Sequence, residues 1–109
     1  MKIIQSQHGD FTVLALAGEL DAVTSPAFES EADKLLESGA RFVVLDLSEL
    51  TFVSSAGLRG MLALAKQLRA IQGELRFVGL QQNVMEVFTL AGFHRLFPTF
   101  SDIAGATAS

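Results

Sequence analysis

Apolar positions recur along this chain at two different spacings, and the changes between them mark out its elements. Residues 2–7 and 11–17 are strand-like runs separated by Gly9-Asp10 and flanking polar residues, which predicts a β-hairpin. After Gly18-Glu19-Leu20-Asp21-Ala22-Val23 the spacing becomes helical. Ser25 and Pro26 read as the N-cap and first residue of a helix whose stripe is Phe28, Ala32, Leu35 and Leu36, with Gly39 just past its end. Phe42-Val43-Val44-Leu45 shows no alternation, as expected of a central strand covered on both faces, and a short loop then leads to Ser54-Ser55. Leu58, Leu62, Ala65 and Leu68 trace a second helix closed by Gly73. Leu75, Phe77 and Val78 form the next strand, and Val84, Val87, Phe88 and Ala91 a third helix stopped by Gly92. Phe97 to Phe100 carries Pro98, which lacks a backbone donor and so predicts a short edge strand. Residues 101–109 are expected to make a last helical turn and then fray.

The order β-β-α-β-α-β-α-(β) puts helical crossovers between the later strands, which makes them parallel and joined right-handedly. An α/β fold follows: one mixed sheet of four to five strands, opened by a hairpin and packed with three to four helices. The 109 residues fit a single domain, 1–109, with one core.

Composition narrows the partners. No apolar run approaches the ~20 residues of a membrane span, and the start Met1-Lys2-Ile3-Ile4-Gln5-Ser6 lacks the apolar centre of a signal peptide. The expected location is therefore cytoplasmic. The absence of cysteine excludes disulfides and thiolate metal sites. A net charge of −4 without a Lys/Arg cluster offers no footprint for nucleic acid, so a protein partner or a small ligand is expected.

Enzymatic patterns are weak. Val53-Ser54-Ser55-Ala56-Gly57 lacks the first glycine of a nucleophile elbow, His8 and His94 have no ligand spacing, and Asp46 and His94 make a triad with serine only on paper. No catalytic residue, metal site or cofactor is assigned. Asp21 suits turn chemistry, and Arg59, Lys66 and Arg69 share a helix face that suits solvent or an acidic partner. The serine pair has two readings. One hydroxyl can cap the helix, worth ~1 kcal/mol, while a second exceeds what a cap requires and lies where helix N–H groups and dipole favour an added phosphate.

Three landmarks together resemble the STAS domain family, specifically the anti-sigma factor antagonists of bacterial partner-switching systems. They are Gly18-Glu19-Leu20-Asp21 before a Pro26-led helix, Phe42 to Ser48 running into Phe52-Val53-Ser54-Ser55-Ala56-Gly57-Leu58, and Ala91-Gly92-Phe93-His94-Arg95-Leu96-Phe97. The resemblance implies a binder rather than an enzyme. Its unphosphorylated form would bind an anti-sigma factor that is also a serine kinase and so free sigma. Phosphorylation at Ser55, with Ser54 the second choice, would end that binding, and a Ser/Thr phosphatase would restore it. Many members carry Asp directly before the acceptor, where this chain has Ser54. The implied partner surface combines Glu19, Leu20, Asp21, Ser54, Ser55, Gly57, Leu58 and Arg59. The alternative is a non-phosphorylated STAS subunit docking on a transporter, for example a lipid-transport ATPase, or sensing a ligand.

Overall fold

The computed structural model describes residues 1–108. Chain order gives β1 (Lys2–His8), β2 (Phe11–Leu20), α1 (Ser25–Glu37), β3 (Phe42–Val53), α2 (Ser55–Ala70), β4 (Glu74–Val78), α3 (Gln82–Leu90), a single 3-10 turn (Phe93–Arg95), β5 (Thr99–Phe100) and α4 (Ile103–Ala106). The five strands lie side by side in sequence order. β1 runs antiparallel to β2, closing the hairpin at His8 and Phe11, and every later pair is parallel. This is the mixed α/β sheet that the pattern predicts.

One face of the sheet carries the main core. Phe28 and Leu35 of α1, Met61, Leu64 and Leu68 of α2, and Val84 and Phe88 of α3 pack on Leu14, Leu45, Leu47 and Phe77. Four phenylalanines extend that core toward the C-terminus, with ring centroids 4.8 Å apart for Phe77–Phe88, 5.1 Å for Phe88–Phe93 and 5.2 Å for Phe77–Phe97. Edge-on aromatic packing of this kind contributes ~0.5–1.5 kcal/mol per pair beyond area burial. On the opposite face Phe11, Val13, Val44 and Val78 form a smaller cluster under Phe100, Ile103 and Ala106. Phe42 to Leu45 is therefore covered on both faces, as its unbroken apolar run predicts.

The structure corrects several local expectations. β3 has 12 residues, and the expected loop before Ser54 is strand. The register with β2 shifts between Asp46 and Glu49 and again between Leu50 and Phe52, irregularities that leave polar Ser48 and Glu49 exposed within the strand. Beyond Asp46 the other edge of β3 has no strand partner among the described residues and meets the start of α3 instead: Gln81 Nε2, at the helix cap, donates to the Ser48 carbonyl (2.9 Å) and Asn83 Nδ2 to that of Thr51 (2.7 Å). α2 is rotated from the predicted stripe. Gly57, Met61, Leu64 and Leu68 are buried, whereas Leu58, Leu62 and Ala65 flank the core half-exposed, because small Gly57 and Gly60 let α2 settle closely on that side.

At α1 the cap is Thr24, not Ser25. The Asp21–Thr24 turn leads directly into the helix, so Ser25 becomes its first residue, buried, with an Oγ that meets no partner among the described residues. Ala91 is exposed past the end of α3 rather than part of its stripe, because Gly92 in the left-handed region (φ 80) turns the chain away. The tail is docked rather than frayed through Thr107. Asp102 accepts from the Gly105 N–H (2.8 Å), Ala106 is fully buried, and its carbonyl accepts from Arg76 Nη1 (2.6 Å). Ser109, the end of the expected fraying segment, lies outside the described residues.

Candidate functional site

Parallel strands leave their crossover helices at one edge of the sheet, so the starts of α1, α2 and α3 gather beyond the C-terminal ends of β2, β3 and β4. In open α/β sheets that edge is where ligands and partners are received. Ser54 and Ser55 stand there.

Ser54 is the residue that links the strand to the helix. Its N–H donates to the Leu20 carbonyl at 2.9 Å, continuing the β2–β3 ladder, while its own carbonyl accepts from the Leu58 N–H at 3.0 Å. The backbone at Ser54 is extended (φ −99, ψ 175), and its Oγ accepts from the Gly57 N–H at 3.5 Å. This is N-cap geometry, with the side-chain bond at the long limit. Ser55 is the first helical residue, exposed, and its hydroxyl makes no hydrogen bond among the described residues. The two serines thus divide their work, one capping and one presented to solvent.

The neighbouring loop is held by its own polar groups. Asp21 Oδ1 accepts from the N–H groups of Val23 (3.0 Å) and Thr24 (3.1 Å). Thr24 Oγ1 accepts from the Asp21 N–H (2.9 Å) and reaches the Glu19 carbonyl (2.8 Å). The Thr24 backbone N–H, foremost among these donors, holds the Asp21 carboxyl below the usual carboxylate range.

The remaining candidate residues fall into two groups. Leu20 and Gly57 are buried, Gly57 flush against Leu20 and Val53, so they set the spacing between loop and helix. Glu19 and Arg59 are exposed, Asp21 and Leu58 are half-exposed, and Glu19 stands opposite Phe52 in the β2–β3 pairing. The structure brings all of them to one edge. Arg59 makes no ion pair or hydrogen bond among the described residues, and α2 bears Arg59, Lys66 and Arg69 but no acid. α1 is the reverse, carrying Glu29, Glu31, Asp33 and Glu37 against Lys34.

Thr24, Val23 and Phe52 also stand at this edge, although the sequence pattern does not mark them as site residues. Thr24 follows Asp21 by three residues, the spacing at which each side chain can bond the other's backbone. Val23 is 87% exposed and Phe52 45% exposed, so two apolar side chains flank the serine pair without being covered. Large uncovered apolar groups at a polar edge suit a protein partner.

Other residues weighed for chemistry lie elsewhere. The Asp46 carboxylate accepts from the Ser48 N–H (3.0 Å) part-way along β3, His8 ends β1 at the opposite end of the hairpin, and His94 is exposed in the 3-10 turn. Among the described residues no group of three or more His, Cys, Asp or Glu side chains could hold a metal ion, and no helix is long and apolar enough to cross a membrane.

Known proteins share both sequence and fold with this chain. BtrV of Bordetella bronchiseptica, described as a candidate anti-sigma factor antagonist, is 38% identical over 109 residues, covering 100% of this chain and 94% of BtrV. The crystal structure of an anti-sigma factor antagonist from Mycobacterium paratuberculosis has a TM-score of 0.90 at 24% identity, covering 98% of this chain and 91% of that one. The Bacillus cell fate determinant SpoIIAA, solved in its phosphorylated form, has a TM-score of 0.73 at 18% identity, covering 93% of each chain. These two structural likenesses establish the fold. The sequence model of the STAS domain matches residues 2–106, and the chain belongs to the STAS domain family.

Proposed function

We propose that this STAS domain is an anti-sigma factor antagonist in a partner-switching cascade, and that Ser55 is its switch. Unphosphorylated, it binds a kinase-type anti-sigma factor and releases sigma in the cytoplasm. Phosphorylated at Ser55, it lets that partner go, and a Ser/Thr phosphatase resets it. The observation that carries this reading is the division between the serines: Ser54 caps α2 while the Ser55 hydroxyl is exposed and unengaged. A kinase can reach that oxygen without undoing the helix start.

The surface around Ser55 fits a protein partner. Apolar Val23 and Phe52, acidic Glu19 and Asp21, and cationic Arg59 lie at the same edge as the helix start. Phosphoryl transfer forms a bond from Ser55 Oγ to the γ-phosphorus of ATP, breaks the bond to ADP and gives up the hydroxyl proton. The product carries roughly −1.5 to −2 charge at neutral pH. At a helix start that charge is tolerated, with the dipole contributing ~0.3–1 kcal/mol. At an interface the same charge must be desolvated or meet acidic groups, and each ~1.4 kcal/mol of penalty there weakens binding tenfold. The domain therefore works as substrate and binder. Binding changes while the fold stays.

The test is to incubate the protein with the kinase-type partner and ATP and to map the phosphate by mass spectrometry. The expected result is one phosphate on Ser55, absent from Ser55→Ala and retained by Ser54→Ala. Phosphate on another residue, or co-purification with a transporter and no phosphate at all, overturns the reading.

A further inference from the structure

Ser55 and Arg59 are four residues apart on α2, both exposed, and neither side chain is engaged among the described residues. Side chains at this spacing lie one above the other on a helix surface, within reach of an ion pair. An acceptor side chain on the N-terminal side of a cation is the favoured orientation, since it agrees with the dipole. As an alcohol Ser55 offers Arg59 little. As a phosphoserine it offers three anionic oxygens, which the planar guanidinium can meet through two N–H groups at once.

We propose that Arg59 is the internal receptor for the Ser55 phosphate: modification closes a phosphoserine–arginine clasp along the first turn of α2. The proposal rests on Ser55 as the site of modification and adds what becomes of the phosphate afterwards. Its surroundings set the direction of closure. Leu20, whose carbonyl holds the Ser54 N–H, is flanked by Glu19 and Asp21, so the loop side of Ser55 is acidic. Asp21 is held ionised by its loop hydrogen bonds. On the helix side Arg59 is the nearest cation in sequence; α2 itself carries no carboxylate, and Glu29 of α1, which packs beside Gly60, makes no ion pair with Arg59. Repulsion from the loop and attraction along the helix point the phosphate the same way.

The clasp has two effects. It withdraws the Arg59 guanidinium from any partner at the moment the phosphate is added, so one modification changes two contacts. It also stabilises the phosphorylated helix start, so the modified protein is a folded, long-lived state awaiting the phosphatase.

The test uses the full chain with phosphoserine installed at position 55 by a recoded codon, which makes it independent of any kinase. The second ionisation of the phosphate is followed by phosphorus NMR in the otherwise unchanged protein, in Arg59→Ala and in Arg59→Lys. Glu19 and Asp21 raise that pKa equally in all three, so the difference isolates Arg59. The expected result is a phosphate pKa higher in Arg59→Ala by about 0.2–0.4, the size of one helical ion pair expressed as a pKa. Arg59→Lys should lie in between, and the Arg59 Nε–H resonance should move on phosphorylation. Equal pKa values in the three proteins, with an unmoved arginine resonance, overturn the clasp. That outcome leaves the switch itself standing, whereas phosphate mapped away from Ser55 removes the switch and leaves the clasp a property of the installed residue.

Discussion

Gly57 lies so close to Leu20 that a Cβ at position 57 would stand 2.8 Å from Leu20 Cγ and 2.9 Å from Val53 Cγ2. The first turn of α2 thereby sits directly on the Leu20 and Val53 side chains, with no room for a side chain at position 57. Because the Leu20 carbonyl also holds the Ser54 N–H at 2.9 Å, the acidic loop and the serine pair form one rigid edge.

Gly57→Ala therefore destabilises the domain by overpacking, by about 1–2 kcal/mol after the helix propensity gained by alanine is subtracted. Leu20→Ala opens a cavity and costs about 2–4 kcal/mol. Since each change relieves the other, the double variant should lose at least about 0.5 kcal/mol less than the sum. Urea denaturation of the three variants measures this coupling, and strict additivity contradicts the contact.

Ser54 and Ser55 should separate cleanly in stability. Ser54→Ala removes a cap whose bond is already long, costing about 0.5 kcal/mol. Ser55→Ala removes an unengaged hydroxyl and should change stability by less than about 0.5 kcal/mol in either direction. Thermal unfolding of the pair checks the assignment; a larger loss at Ser55 than at Ser54 reverses the two roles.

Asp21 makes part of the stability depend on pH. Its folded pKa is lowered, chiefly by the Thr24 backbone N–H. A depressed carboxylate contributes fully above its unfolded value of about 3.9 and loses that contribution as the pH falls through the folded value. Asp21→Asn should accordingly melt below the unaltered protein by a constant margin from pH 7 to pH 5. The margin should close below about pH 4 as the carboxylate protonates. A margin unchanged at low pH excludes the charge as its cause.

Docking of α4 is tested at Ala106, which is fully buried against the cluster of Phe11, Val44 and Val78. Ala106→Asp places a carboxylate in that cluster and should cost at least about 2 kcal/mol, read as a lowered midpoint in urea. A frayed tail would accept the change without effect.

The hairpin, the parallel crossovers and the landmarks around Ser55 were legible because local pattern determines them. Gly9-Asp10 sets the turn, and Phe42 to Leu45 reads as buried because both faces are covered. What escaped depends on tertiary neighbours. The second half of β3 is a strand although Ser48 and Glu49 are polar, because it continues the parallel ladder with Ala17 to Leu20 of β2, while Gln81 at the cap of α3 and Asn83 within it supply donors to its other edge. The buried face of α2 turns toward Gly57 and Gly60, small residues that a hydrophobic stripe does not count. Nothing in the sequence pattern singles out Arg76, which anchors α4 through the Ala106 carbonyl and lies over the Phe11 ring at 4.9 Å. At the site, the serine pair was visible from its place before a helix. The exposed Val23 and Phe52 were not, since an apolar residue in a loop or strand carries no mark of lacking a cover.

One phosphate on Ser55 should change binding and not folding. Isothermal titration of the kinase-type anti-sigma partner, without ATP, against the unphosphorylated and the Ser55-phosphorylated protein measures it most directly, with urea midpoints recorded on both. Binding should weaken by about 100-fold or more on phosphorylation, equivalent to roughly 2.7 kcal/mol, with a urea midpoint for the phosphorylated protein equal to or slightly above that of the unmodified one. Equal affinities, or a phosphorylated protein that has lost its fold, would contradict the switch.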